Sequence, residues 1–262
     1  MNKILIIGKK SFLGSYLKKH LSKFYKVDNY SYEHIIEREY SFFYDYSFII
    51  NTAIHSEYIK KKYNNEFDLD KKFVNKFKKI KFKYIFFNSR KIYFQKENIT
   101  ERSLISPIDN YGKNKFITEK FLKKKLKRKL ISLRISNILG KRIFNDNRNN
   151  HRLFLDNFLI YKKNQKKIFI NNDFKDFITI DQFCRIVFKI IKLNLSGIYN
   201  VSLSKKIFIS DITKWLDKKF YKKIEFKEMT KNSFTLSNKK LLKKIGIKIT
   251  KNQLKSFCKK LI

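Results

Sequence analysis

Tyr111 and Lys115 stand four residues apart in the segment Asn110-Tyr-Gly-Lys-Asn-Lys115, shortly after the chain's single proline, Pro107. At a helix start, residues at this spacing project from one face. An ammonium beside a phenol favours the phenolate and draws its pKa toward neutrality. A tyrosine tuned in this way can exchange a proton with an alcohol or sugar hydroxyl as hydride moves to or from a nicotinamide. Lysine is so common here that the spacing alone carries little. The rare Gly112 and Pro107 beside it give it weight. A second candidate is Gly8-Lys-Lys-Ser11-Phe12-Leu13-Gly14, directly after the apolar run Lys3–Ile7. A glycine turn at such a junction lets backbone N–H groups and a helix N-terminus approach a pyrophosphate. The middle glycine position is Ser11, and by itself the motif is equally consistent with a plain strand-to-helix turn.

Both candidates need a frame. Lys3–Ile7 reads as a buried strand, and Tyr16, Leu17, His20, Leu21 and Phe24 recur at helical spacing. Further strands are expected at Tyr25–Tyr32, Ser47–Asn51, Lys83–Ser89 and Lys129–Ser136, with helices at Asp68–Lys79 and Tyr111–Lys127. Strands alternating with helices argue for an α/β, doubly wound parallel sheet. Beyond residue 137 the pattern loosens. A polar loop is expected over Arg142–His151 and a helix over Leu153–Tyr161. A strand or turn at Phe177–Asp181 should lead into a helix ending near Ile191. A strand at Gly197–Val201 and helices at Ser210–Phe220 and Lys251–Leu261 complete the chain. The expected organisation is a dinucleotide-binding domain over 1–136, with 176–202 returning to it, and a small interwoven lobe over 137–262.

The 262 residues carry 62 Lys plus Arg against 22 Asp plus Glu, a formal charge of +40. The excess is mostly lysine, with only nine arginines, and it is spread along the chain rather than gathered in a tail. Nucleic-acid sites favour the planar fork of arginine. Lys, Asn, Ile, Phe and Tyr are enriched together while Gly falls to 6, Pro to 1 and Ala to Ala53 alone, the bias of A/T-rich codons. No nucleic-acid partner is therefore expected. Scarcity has a useful side, since each glycine that remains has a backbone reason to be there. With 43% hydrophobic and 16% aromatic residues the chain can bury a core. Cys184 and Cys258 cannot build a disulfide scaffold or a multi-cysteine zinc site, and no metal is expected. No apolar run approaches the roughly 18 residues of a membrane span, and the N-terminus does not read as a signal peptide. A soluble, cytoplasmic protein without membrane insertion is expected.

In this frame the chain resembles the extended short-chain dehydrogenase/reductase superfamily, specifically the NAD-dependent epimerase/dehydratase group that acts on nucleotide sugars. Gly8-x-x-Ser11-x-x-Gly14 is similar to the family's glycine turn, and Asn51-Thr52-Ala53 to the element ending its fourth strand. Ser89-Arg-Lys-Ile-Tyr93 resembles the segment whose Ser or Thr completes the catalytic triad, and Tyr111-x-x-x-Lys115 its Tyr-Lys pair. Leu133-Arg134-Ile-Ser-Asn137-Ile-Leu-Gly140, Lys175-Asp176-Phe177, Gly197-Ile-Tyr-Asn200 and Leu242–Gly246 resemble later motifs in the same order. The resemblance implies a Rossmann-type fold with a small C-terminal substrate lobe, NAD or NADP as cofactor, a nucleotide-sugar substrate and, commonly, a homodimer. It implies Ser89, Tyr111 and Lys115 as catalytic residues. The cofactor would meet Gly8, Ser11, Phe12, Leu13, Gly14, Asn51, Thr52, Ala53, Tyr111 and Lys115, and the substrate Ser89, Asn137, Arg142 and Lys175. Arg90-Lys91 stand where dehydratases place an acidic pair, which favours a 4-keto reductase or 4-epimerase. No acidic residue is evident at the end of the second strand, where Ser31 or Tyr32 falls, so NAD and NADP both stay open. The short stretch before Ser47 suggests a trimmed βα unit. Two other readings stay open: a catalytically silent dinucleotide sensor or scaffold, and a basic nucleic-acid-binding protein.

Overall fold

The computed structural model describes residues 3–77, 81–94, 96–143, 154–164, 168–227 and 233–261. The expected helix end at Lys79, the start of the helix expected at Leu153, and positions 144–151 of the expected loop lie outside them. Two compact units emerge: residues 1–94, 103–135 and 184–199 in the first, and 95–102, 136–183 and 200–262 in the second.

The first unit is built on strands β1 (Lys3–Ile7), β2 (Lys26–Tyr30), β3 (Tyr46–Asn51), β4 (Lys83–Ser89) and β5 (Leu130–Ile135), separated by helices α1 (Phe12–Leu21), α2 (Tyr32–Ile36), α3 (Ser56–Lys60), α4 (Leu69–Lys76) and α5 (Asn110–Leu126). β2, β1, β3, β4 and β5 pair in parallel in that spatial order, and the sheet's sixth strand follows β5. This is the Rossmann-type doubly wound arrangement, with its crossover between β1 and β3. Among the described residues, no strand pairs outside β2. Between β2 and β3 the chain forms only α2 and a single 3-10 turn at Tyr40–Phe43, in keeping with the trimmed unit expected there. The strands are apolar on both faces because helices cover both: Ile4, Leu5, Ile6, Ile7, Ile49, Ile50, Tyr84, Ile85 and Phe86 are fully buried. Phe43, Phe73 and Phe77 pack a phenylalanine cluster beneath α4, with ring centroids 4.4–5.6 Å apart.

Local caps set two boundaries, the second of which is earlier than expected. α1 starts at Phe12 because Ser11 caps it, and β2 stops at Tyr30 because Ser31 caps α2. The remaining elements are β6 (Asn137–Leu139), α6 (Phe154–Asn164), β7 (Ile168–Asn171), β8 (Phe174–Lys175), β9 (Phe177–Thr179), α7 (Ile180–Lys192), β10 (Gly197–Val201), β11 (Ile207–Phe208), α8 (Ile209–Leu216), α9 (Lys218–Tyr221), β12 (Ile224–Lys227), α10 (Lys239–Ile245) and α11 (Lys251–Lys259). β10 is the sixth strand of the large sheet, and the others form two-stranded pairs. The helix expected over Ser210–Phe220 is two helices, broken at Asp217, whose extended backbone and carboxylate cap α9. Cys184 lies in the core, as expected, and neither cysteine is in a disulfide. Among the described residues, no helix is long and apolar enough to cross a membrane.

Candidate active site

At the end of β1 the chain turns through Gly8, whose φ of +114° few other residues adopt. The N–H groups of Gly8 and Lys9 both donate to the Tyr30 carbonyl, at 2.7 and 3.1 Å, so the turn rests on the end of β2. A Cβ on Gly14 would lie 2.6 Å from Ser11 Oγ and 2.7 Å from the Gly8 carbonyl oxygen. Glycine is required at both positions. Ser11 takes a different part. Its Oγ accepts the Gly14 N–H at 2.9 Å and lies 2.6 Å from Thr52 Oγ1. Thr52 Oγ1 in turn donates to the Ile7 carbonyl at 2.7 Å, so the proton between the two hydroxyls belongs to Ser11. The side chain that replaces the middle glycine is therefore folded inward. The N–H groups of Phe12 and Leu13, first in α1, have no acceptor among the described residues. Two open donors at the positive end of a ten-residue helix fit a dinucleotide pyrophosphate.

Alongside, β3 ends in Asn51. Its Oδ1 accepts the Ala53 N–H at 3.0 Å and its Nδ2 donates to Asp70 Oδ1 at 2.9 Å, while the Thr52 N–H donates to the Ile7 carbonyl at 2.8 Å. Asn51, Thr52 and Ala53 are thus brought to the glycine turn. Ser31 follows β2 and spends its hydroxyl on the His34 N–H. Asp28, the one acid within β2, is engaged by Tyr46 Oη and, at 3.0 Å, by Lys3 Nζ.

β4 delivers Ser89, whose Oγ accepts the Lys91 N–H at 3.2 Å and opens a 3-10 turn at Arg90–Ile92. α5 begins one residue after Asp109, which accepts the Gly112 N–H at 2.8 Å and pairs with Lys91 Nζ at 2.6 Å. A Cβ on Gly112 would overlap the Lys91 carbonyl oxygen and sit 3.1 Å from Pro107 Cβ. The rare glycine lets the turn after Ser89 lie directly on the first turn of α5, which carries Tyr111 and Lys115. Lys115 is 6% exposed; its Nζ lies 4.5 Å from the Phe86 ring centroid, 5.6 Å from that of Tyr58 and 6.0 Å from that of Tyr111. The expectation that Lys115 draws the Tyr111 phenol toward neutrality needs correction. Burial, then Asp109 and Asp70, push the phenol's pKa up, and burial pulls that of Lys115 down against the opposing pull of Asp70 and Asp68. Tyr111 is held protonated.

Two buried features were not anticipated. Asp68, the N-cap of α4, and Asp70, in its first turn, are both buried: Asp68 caps α4 through the Lys71 N–H and accepts from Thr118 Oγ1 and Tyr63 Oη, while Asp70 accepts from Asn51 and Tyr84 Oη. Glu119 and Arg134 form a bidentate pair at 2.6 and 2.9 Å, joined by Asn88, Ser132 and Tyr93. His55 caps α3 and stacks on Phe67 at 4.7 Å, a structural use.

The other substrate candidates lie in the second unit. Asn137 opens β6 and donates its N–H to the Asp176 carbonyl at 3.2 Å; Lys175 lies in β8, opposite Ile207. Arg142 Nε is held by Asp156 at 2.9 Å.

No family model and no curated protein matches the chain. Solved structures do. A UDP-N-acetylglucosamine 4-epimerase from Methanobrevibacter ruminantium, in complex with UDP-N-acetylmuramic acid, superposes with a TM-score of 0.81 at 16% identity, over 99% of this chain and 96% of that one. A UDP-glucuronic acid 4-epimerase from Bacillus cereus, in complex with NAD, gives 0.77 at 17% identity over 98% and 96%. A dTDP-4-dehydrorhamnose reductase from Clostridium acetobutylicum gives 0.74 at 18% identity over 97% and 98%. At these identities the likeness is one of fold, and it spans essentially the whole chain.

Proposed function

We propose that this chain is a member of the NAD-dependent epimerase/dehydratase group, an NAD(P)-dependent oxidoreductase or isomerase acting on a nucleotide-linked sugar. The observation that carries the reading is the seating of the Ser89 turn on the Tyr111–Lys115 helix start through Gly112, at the carboxyl edge of a sheet whose β1 end carries the open glycine turn. The epimerases and the reductase that share the fold support it. Gly8, Gly14, the N–H groups of Phe12 and Leu13, and Asn51–Ala53 would hold the dinucleotide, which supplies the hydride chemistry when bound. Ser89 would hydrogen-bond the reacting hydroxyl or carbonyl. Tyr111, held protonated by burial, is poised to donate its proton to a sugar keto oxygen, which suits a 4-keto reductase or the reductive half of a 4-epimerase. Lys115 would hold the nicotinamide ribose and favour the phenolate left behind. Asn137, Arg142 and Lys175 would supply donors to the nucleotide or its diphosphate.

The test is a panel of nucleotide sugars with NADH and NADPH, run on the native protein and on Tyr111→Phe. Turnover by the native protein, lost in the variant with dinucleotide binding retained, is the expected outcome. Undiminished turnover in the variant sinks the assignment of Tyr111. Tight dinucleotide binding with no turnover of any sugar would favour a silent sensor instead.

A further inference from the structure

Asn51, Tyr84 and Phe86 lie on neighbouring strands in fixed register: Asn51 pairs with Phe86, and Tyr84 is two residues before Phe86, so its side chain leaves the same face of β4. Two helices place charged groups on this face. From α4, Asp70 accepts Asn51 Nδ2 at 2.9 Å and Tyr84 Oη at 2.7 Å; from α5, Lys115 sets its ammonium 4.5 Å from the Phe86 ring. Asp70 and Lys115 are each 6% exposed. A buried cation needs a counter-charge, and the ammonium's neighbours so far described are the rings of Phe86, Tyr58 and Tyr111.

We propose that Asp70 is a positioning residue for the Tyr111–Lys115 pair: the buried counter-charge that keeps the Lys115 ammonium charged, tied through Asn51 to the backbone of the glycine-turn cradle at Ala53. The ionisable groups facing this site are Asp68, Tyr32, Tyr58, Tyr63, Tyr84 and Tyr111. Asp68 is the other carboxylate; it too accepts from neutral donors, the Lys71 N–H, Tyr63 and Thr118, and it acts on Lys115 less strongly than Asp70 does. Among the described residues Asp70 has no cation bonded to it and accepts from neutral donors, an amide and a phenol. The two buried groups act on each other: against the downward pull of burial Asp70 draws the lysine's pKa up, and burial pushes that of Asp70 up while Lys115 pulls it down. The Asn51 link means that the group holding Ala53 N–H and the group holding the lysine's charge share one hydrogen bond. The bearing of this on turnover rests on the function proposed above; the electrostatic pairing does not.

The experiment is therefore a titration of Lys115 itself, by NMR of lysine-labelled protein, with its signal identified by its absence in Lys115→Arg. Asp70→Asn is nearly isosteric and keeps an oxygen for both donors, so it removes chiefly the charge. The Lys115 midpoint should fall by at least about one pH unit in this variant, and Asp28→Asn, at the far edge of the sheet, should leave it unchanged. The exchanged variant Asn51→Asp/Asp70→Asn returns a carboxylate to the same hydrogen bond and should restore much of the fall, even if Asp70→Asn alone folds poorly. An unmoved midpoint in Asp70→Asn, or an equal fall in Asp28→Asn, overturns the proposal. Where a sugar substrate has been found, the alkaline limb of the kcat profile should move to lower pH in Asp70→Asn with the dinucleotide Kd little changed. Absence of turnover in every protein would fail the functional reading while the lysine titration still decides the pairing.

Discussion

Replacing Glu119 with Ala should be among the most damaging single changes in the first unit. Glu119 projects from α5 to meet Arg134 on β5 at 2.6 and 2.9 Å, and the two side chains are 3% and 4% exposed. Its Oε2 also accepts Asn88 Nδ2 at 2.6 Å and Ser132 Oγ at 3.0 Å, while Arg134 Nη1 donates to Tyr93 Oη at 2.6 Å. Alanine would leave the guanidinium buried without its counter-charge, and Asn88 Nδ2 and Ser132 Oγ short of their acceptor. Breaking one side of such a pair costs roughly 3–5 kcal/mol. At about 2–4 °C per kcal/mol for a unit of this size, the melting temperature should fall by roughly 6–20 °C. Calorimetry and urea unfolding on the native protein and on Glu119→Ala measure this directly. The double variant Glu119→Leu/Arg134→Met, which removes both charges and keeps most of the volume, should recover most of the loss. A loss below about 1 kcal/mol in Glu119→Ala would refute the reasoning, because it would mean that the pair is hydrated rather than buried. The same change should disturb Ser89, whose N–H is held by the Asn88 side chain that Glu119 anchors.

Two further outcomes can be measured without knowing the substrate. Burial pushes Asp176 up to about 7 while the backbone N–H groups of Leu236, Leu203 and Ser204 pull it down; an unfolded carboxyl titrates near ~3.9. The folded chain then holds an extra proton between these values. Its contribution to stability is complete below the unfolded value and is lost as pH rises through about 7. Melting temperatures between pH 5 and 8 should thus decline with pH, and Asp176→Asn should flatten the trend; a native protein that stabilises as pH rises across this window contradicts it. Ser11→Ala should cost about 1 kcal/mol through the lost cap, read from thermal unfolding, and should weaken dinucleotide binding; unchanged stability would deny the inward hydroxyl its role.

The frame was legible because its signals are local. The apolar runs at 3–7, 47–51 and 83–89 became β1, β3 and β4 within a residue or so, and the scarce Gly8, Gly14 and Gly112 each proved to sit where a side chain would collide. What could not be read depends on distant partners. The spacing of Tyr111 and Lys115 says nothing about how deeply either is buried or which acids act on the phenol, and burial, with Asp109 and Asp70, reverses the expected direction of its shift. Asp70 reads as an ordinary acid in the first turn of a helix. Only the pairing of β3 with β4 brings Asn51 and Tyr84 to it. Glu119 and Arg134 are fifteen residues apart and meet because α5 packs against β5.

The inward Ser11 hydroxyl alters when the glycine turn loses its freedom. A glycine at this position would leave several backbone conformations open, to be narrowed only as a ligand arrives. Here a hydroxyl already bridges the Gly14 amide and Thr52, so that ordering takes place while the chain folds. The dinucleotide proposed above would therefore meet a preformed cradle whose entropy was surrendered before binding.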